Sequence, residues 1–185
     1  LEGCPSFEKI LGDLKFQFCY YLRTLRGLDA LEFIGGSLTV MNSPALVSLS
    51  GLESLKRVGS RFTILRNGVL QNVSALRRLK NIDGNFVVGY NDRLASLDGL
   101  QALTSVGGGF HIFKQKRFVS LAGLQQLNSV GGKLKIERNK RMKSLDGLQH
   151  LSRVGRDVNI NHNNDMESLD GLQNLSSVGL TLTIY

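Results

Sequence analysis

Met142-Lys143-Ser144-Leu145-Asp146-Gly147-Leu148-Gln149-His150-Leu151-Ser152-Arg153-Val154-Gly155-Arg156-Asp157-Val158-Asn159-Ile160-Asn161-His162-Asn163 is one copy of a pattern that fills the chain. Leu28, Leu52, Leu76, Leu100, Leu124, Leu148 and Leu172 hold one position of it, 24 residues apart without a slip. A fixed period of this length marks a solenoid in which each repeat is one coil and stacked neighbours share a core. Residues 1–185 therefore read as a single array of about seven coils, repeats over 20–185 behind a cap over 4–19.

Within a coil the apolar residues change their spacing. Leu46, Leu49, Leu52, Leu55 and Val58 recur every third residue, and Phe62 and Ile64 are two apart. The two-apart pairs continue as Leu38/Val40, Phe86/Val88, Phe110/Ile112, Leu134/Ile136, Val158/Ile160 and Leu182/Ile184. Alternation with period two predicts a strand with one face buried and one wet. The class is mostly β. It is a parallel β-solenoid in which equivalent strands lie side by side, giving a rod roughly 30–35 Å long. The spacing-three run predicts turns plus a second short strand, with leucines at the inner corners.

Gly35-Gly36, Gly107-Gly108 and Gly131-Gly132 precede the main strand, where a positive φ is expected. Gly27, Gly51, Gly99, Gly123, Gly147 and Gly171 mark another turn, with Ala75 the exception. After the strand come Asn67, Asn91, Asn139 and Asn163, with Ser43 and Gln115 in the same column. Such amides can donate and accept to the backbone of adjacent coils. Ser48, Ser96, Ser120, Ser144 and Ser168 suggest a second column with the same duty.

The N-terminal stretch reads differently. Pro5-Ser6-Phe7-Glu8 is a helix start, and Phe7, Ile10, Leu11 and Leu14 share one helical face. A short capping helix covering the first coil is the expectation. Cys4 and Cys19 flank it, and a bond between them would contribute on the order of 3 kcal/mol. That pairing implies an oxidising compartment: extracellular, cell-surface or luminal. The rival is two unpaired buried thiols. Asn72-Val73-Ser74 and Asn174-Leu175-Ser176 match the glycosylation acceptor pattern. With no leading methionine or signal peptide, the chain reads as a mature or excised segment. Its last strand, Thr181-Leu182-Thr183-Ile184-Tyr185, is expected to continue or to be covered by a partner.

The repeat Leu-x-x-Leu-x-Gly-Leu-x-x-Leu-x-x-Val-Gly-Gly-x-Leu-x-Ile-x-x-Asn resembles the receptor L domain, a leucine-rich-repeat-like module of insulin- and epidermal-growth-factor-receptor ectodomains and of microbial surface proteins. The likeness runs from Cys4 to Tyr185, and Cys4, the expected helix and Cys19 are similar to the disulfide-tied start of such domains. The coils here are more regular than those of the receptors. The resemblance implies a right-handed solenoid with a non-catalytic binding or scaffolding role.

Little in the sequence suggests catalysis or a cofactor. His111, His150 and His162 fall on different columns, and the two cysteines lack zinc-ligand spacing. The recurrent Ser-Leu-Asp-Gly is a repeat element, and Gly107-Gly108-Gly109 lacks the context of a phosphate loop. A threonine ice-binding array is spoiled by His111 and Lys135.

Two outward surfaces are candidates for a partner. Met41, Leu65, Val87, Tyr90 and Phe113 form an apolar stripe across the first coils, unless a loop or a further segment covers it. Lys114, Lys116, Arg117, Lys133, Lys135, Arg138, Lys140 and Arg141 form a basic patch in a chain of formal charge +8. The period stacks Lys114 on Arg138, Lys116 on Lys140 and Arg117 on Arg141, so like charges repel unless an anionic partner intervenes. Candidate partners are an acidic protein, an anionic glycan or anionic lipid. A solvated face that aids solubility is the plainer reading. Nucleic acid is not expected, because no binding motif accompanies the charge. The leading expectation is an extracellular or luminal recognition module. The alternative is a structural subunit of a larger, membrane-associated assembly, docked through the last coil.

Overall fold

The computed structural model describes residues 7–185. Two parallel sheets run through the described residues, each with eight strands there, ordered by coil. The main sheet contains Leu14–Gln17, Leu38–Met41, Phe62–Leu65, Phe86–Gly89, Phe110–Phe113, Leu134–Glu137, Val158–Asn161 and Leu182–Ile184. The other is built from two-residue strands such as Arg57–Val58 and Arg153–Val154. Register holds across the main sheet, with Leu38 opposite Phe62, Phe62 opposite Phe86 and Phe110 opposite Leu134. This is the predicted parallel β-solenoid.

The spacing-three run has a local cause. Leu52 N–H donates to Leu49 O at 3.2 Å, and Leu55 N–H to Leu52 O at 3.1 Å. Successive i to i+3 turns advance three residues per turn, so every third side chain eclipses the last and faces inward. Leu49, Leu52, Leu55, Val58, Phe62 and Ile64 are fully buried in one continuous core. Within it Phe62 stacks on Phe86 at 5.3 Å and Phe86 on Phe110 at 4.9 Å between centroids.

The capping helix is corrected. Residues 9–10 and 14–17 are strands, and Leu14 and Phe16 pair with Leu38 and Val40 as one more rung. Leu11, assigned to the buried helical face, is 82% exposed. The chain therefore begins its solenoid one coil earlier than expected. The start of the proposed helix and Cys4 lie outside the described residues. Cys19 is partly exposed, and its thiol donates to Gln17 O at 3.6 Å.

Glycine serves two separate needs. Gly51 and Gly147 take φ of +115° and +114° at their turn. Where Ala75 replaces glycine in that column, the coil forms a 3-10 turn over Ser74–Leu76 instead. The pairs ahead of the main strand do not need positive φ, contrary to expectation; the positive-φ glycines lie in the other column. They are small because the coils touch there: a Cβ on Gly107 would overlap the Asp83 carbonyl oxygen.

The asparagine column behaves as predicted. Asn91 Oδ1 accepts from Asn67 N–H at 3.0 Å, and Asn91 Nδ2 donates to Ile64 O at 3.0 Å. The same pair of bonds recurs at Asn67 and Asn139. The serine column does not repeat this. Ser96, Ser144 and Ser168 donate to the aspartate two residues on, at 2.8–2.9 Å, and so close a turn within their own coil.

Gln115 interrupts the ladder. Its Oε1 accepts from Asn91 N–H at 3.1 Å, but its Nε2 is buried without a partner among the described residues. The longer side chain misses the bond to Val88 O that an asparagine would make by analogy with Asn91. Gln115→Asn is therefore expected to stabilise by about 1 kcal/mol, the scale of satisfying one buried donor. That corresponds to roughly 2–4 °C in Tm. Thermal melting checks it; an unchanged or lower Tm would refute this explanation of the interruption.

Candidate functional site: a cationic groove on the solenoid flank

Each of the first seven main strands is followed by a residue in the left-handed region, and none of the seven is glycine. Phe18, Asn42, Arg66, Tyr90, Lys114, Arg138 and His162 have φ between 52° and 58°. A side chain there costs about 1–2 kcal/mol relative to glycine. The conformation lets the chain leave the strand and present the next residue of the amide column inward. Its by-product is a row of side chains starting from one fixed backbone geometry at each rung.

Five members of that row line a groove of about 1010 Å³: Arg66, Tyr90, Lys114, Arg138 and His162. Lys116, Lys140 and Arg141 add to it, and Asp92 is its one acidic residue. Lys116 pairs with Asp92 at 2.6 Å. Lys114 Nζ donates to Tyr90 Oη at 2.7 Å and lies 4.9 Å from the ring centroid. Arg66 sits over the same ring at 5.4 Å. The Lys114 bond holds the Tyr90 phenol below its usual range, and the positive field of Lys114, Arg66 and Arg138 acts in the same direction. Arg66, Arg138, Lys140 and Arg141 have no carboxylate partner among the described residues.

The predicted basic patch is thus divided. Lys114, Lys116, Arg138, Lys140 and Arg141 meet in the groove, and Arg117 lies beside it in a hollow shared with Lys116 and Arg141. Lys133 and Lys135 sit at the opposite end of the strand, beside the Gly107–Gly109 backbone. There Lys133 pairs with Asp157 at 2.9 Å and Lys135 with Glu137 at 3.6 Å. The groove also contains Arg66, His162 and Asn164, which the sequence reading omits, although Arg66 and His162 fall in the Lys114 column by the 24-residue period.

The apolar stripe is contiguous but half-buried by its own members. Met41, Leu65, Val87, Tyr90 and Phe113 are all partly covered. Phe113 leans across Gly89, where a Cβ would overlap its ring and contact Leu65 Cδ1 at 3.0 Å. Phe113 meets Tyr90 edge-on at 5.4 Å and stacks on His111 at 4.3 Å, so the stripe abuts the groove through Tyr90.

His111 Nε2 lies 3.0 Å from Glu137 Oε1, and a carboxylate only accepts, so the imidazole donates. Burial pushes His111 below its usual range despite that carboxylate. Burial alone would raise Glu137, but the His111 bond and the Lys135 charge hold it below the ordinary value. The contact near neutral pH is therefore a hydrogen bond donated by a neutral ring to the carboxylate.

Among the described residues, no cluster of three or more His, Cys, Asp or Glu side chains could hold a metal ion. No described helix is long and apolar enough to cross a membrane. Asn72 and Asn174 are both exposed. Asn72 accepts from the Ser74 hydroxyl at 2.7 Å, and Asn174 Nδ2 donates to Gln149 O at 2.6 Å. Comparisons with family profiles, curated proteins and solved structures returned no match, so the chain's assignment beyond a parallel β-solenoid rests on its own residues.

Proposed function

We propose that the protein is a non-catalytic recognition module, akin to a receptor L domain, that binds an anionic protein or glycan through the cationic groove. The observation that carries this reading is the group Arg66, Arg138, Lys140 and Arg141. All four are exposed and, among the described residues, without carboxylate partners on one concave surface. Like charges stacked one rung apart, as Lys116 and Lys140 are, start from backbones about 4.8 Å apart and repel by up to about 1 kcal/mol even in water. A ligand that supplies negative charge removes this cost and gains salt-sensitive affinity. A Cys4–Cys19 bond, an oxidising compartment and glycosylation at Asn72 or Asn174 accompany the proposal.

The test is a binding screen against immobilised glycans and extracellular proteins over a salt series. A variant carrying Lys116→Glu, Arg117→Glu, Lys140→Glu and Arg141→Glu is compared with the wild type. The variant should lose about tenfold or more in affinity and flatten the salt dependence. Binding that is indifferent to both changes removes the groove as the site. The second reading is a scaffold subunit docked through the last coil. Salt-independent assembly abolished by Leu180→Lys and Leu182→Lys would favour it instead.

A further inference from the structure

We infer that the ligand of this groove is a linear sulfated polysaccharide lying along the rod axis. The inference rests on the recognition reading above and narrows it to one chemical class. Its first support is shape. The lining runs from the rung of Arg66 to that of His162, four strand spacings, or about 19 Å. An elongated concave track suits a polymer chain and excludes a planar bilayer surface.

Charge placement is the second support. One row contributes Arg66, Lys114 and Arg138, and the row two residues further on contributes Lys116 and Lys140, with Arg141 beside them. Cations of these rows stand on the Arg66, Lys114 and Arg138 rungs, and the Tyr90 rung between the first two carries none. Charge fixed at whole-rung intervals on a rigid frame matches a polymer whose anionic groups also recur at intervals. Three of these residues are arginines, whose planar guanidinium grips a tetrahedral or planar oxyanion through two parallel N–H bonds. Asp92 and Asn164 occupy the Lys116 column one rung before and one rung after the Lys116–Lys140 pair, so this part of the cation track has defined ends.

The third support separates the polymer classes. An extended acidic peptide gains much of its affinity by pairing its backbone with an open sheet edge. The strands carrying this groove, Phe62–Leu65 through Val158–Asn161, are interior and already paired on both sides. Only side-chain charge is on offer. Single-stranded nucleic acid needs free aromatic faces for its bases. Tyr90 is the aromatic side chain of the lining besides the two-nitrogen ring of His162, and Arg66 and Lys114 already sit over it. Tyr90 therefore orders cations rather than stacking a ligand. What remains is a chain recognised by its oxyanions.

The test uses isothermal calorimetry with a size-defined heparin oligosaccharide, its desulfated counterpart, poly-glutamate, an anionic-lipid vesicle and a single-stranded oligonucleotide. The groove variant carries Arg66→Gln, Arg138→Gln, Lys140→Gln and Arg141→Gln. A control carries Lys80→Gln and Arg153→Gln, which are exposed on the other sheet's side. All proteins are first matched by thermal melting. The sulfated oligosaccharide should bind wild type and control alike and the groove variant about thirtyfold more weakly. Desulfation should cost the wild type about tenfold or more. Equal binding of the desulfated chain, or sulfated binding indifferent to the groove variant, overturns the inference. Groove-dependent binding of poly-glutamate, vesicle or oligonucleotide at equal or higher affinity overturns it while leaving the recognition reading intact. If no probe distinguishes wild type from groove variant, the inference fails with these chemistries, and the salt-series screen decides the broader reading separately.

Discussion

Asn91→Ala is expected to lower stability by about 3–5 kcal/mol, which for a chain of this size is a fall of roughly 10 °C in Tm. The side chain is fully buried and serves two neighbouring coils. Its removal leaves Asn67 N–H without its side-chain acceptor, takes the amide donor from Ile64 C=O, and deletes the 3.3 Å contact from Asn67 Nδ2. Each orphaned buried group costs about 1–3 kcal/mol, and water reaches none of them easily. Asn164→Ala, at an exposed position one residue past the same column, should change stability by less than about 0.5 kcal/mol. Calorimetric melting of the pair decides the matter. An Asn91→Ala loss no larger than that of Asn164→Ala would mean the amide column does not tie the coils together.

Gly147→Val is expected to disrupt the array more severely. Two penalties coincide there. The backbone is held at φ +114°, and a Cβ would overlap the Leu121 carbonyl of the preceding coil. Gly27 separates the two among the described residues, since its φ is +104° and no described atom beyond its chain neighbours lies within 4 Å of the place a methyl group would take. Gly27→Ala should therefore cost only the backbone strain, about 1–2 kcal/mol. Gly68, with open space and no positive φ, should tolerate alanine within about 0.5 kcal/mol. Gly147→Val should exceed about 4 kcal/mol, because the coils on either side must move apart. In a nearest-neighbour array that break also uncouples the two halves, so the melt should lose its single transition. Denaturant titration of the three variants gives the order directly. Equal losses at Gly27 and Gly147 would remove close coil contact as the reason for that glycine.

These sites also show which features are legible in the sequence. The leucine column, the two-apart strand pairs and the amides all carry one residue type at one interval, so periodicity alone places them. The first coil misleads because Phe7, Ile10, Leu11 and Leu14 also fit a helical face. The better signal is Leu14 and Phe16, lying 24 residues before Leu38 and Val40. The glycine pairs suggest a special φ because sequence does not distinguish a backbone conformation from a close approach of coils. The left-handed column is invisible for a different reason. Its occupants, from Phe18 to His162, have no residue type in common along the column, and only Asn42 and His162 are of types enriched in that region. Hence the groove reads as a stretch of charge between Lys114 and Arg141, and the row that includes Arg66 and His162 goes unrecognised. Lys133 and Lys135 join the patch by nearness in sequence, although the strand carries them to its far end.

Both the amide ladder and the groove depend on residues 24 apart standing one strand spacing apart along a straight rod. The most direct measurement is pulsed electron–electron spin distance between nitroxides at outward positions of the main sheet. Thr63, Asn159 and Thr183 are each paired with Thr39, all in one outward column. Backbone separations should rise in proportion to the number of rungs, at about 4.8 Å each, to roughly 24 Å for Asn159 and 29 Å for Thr183. Distances that fail to grow with rung number would contradict the stacked columns, and with them the groove.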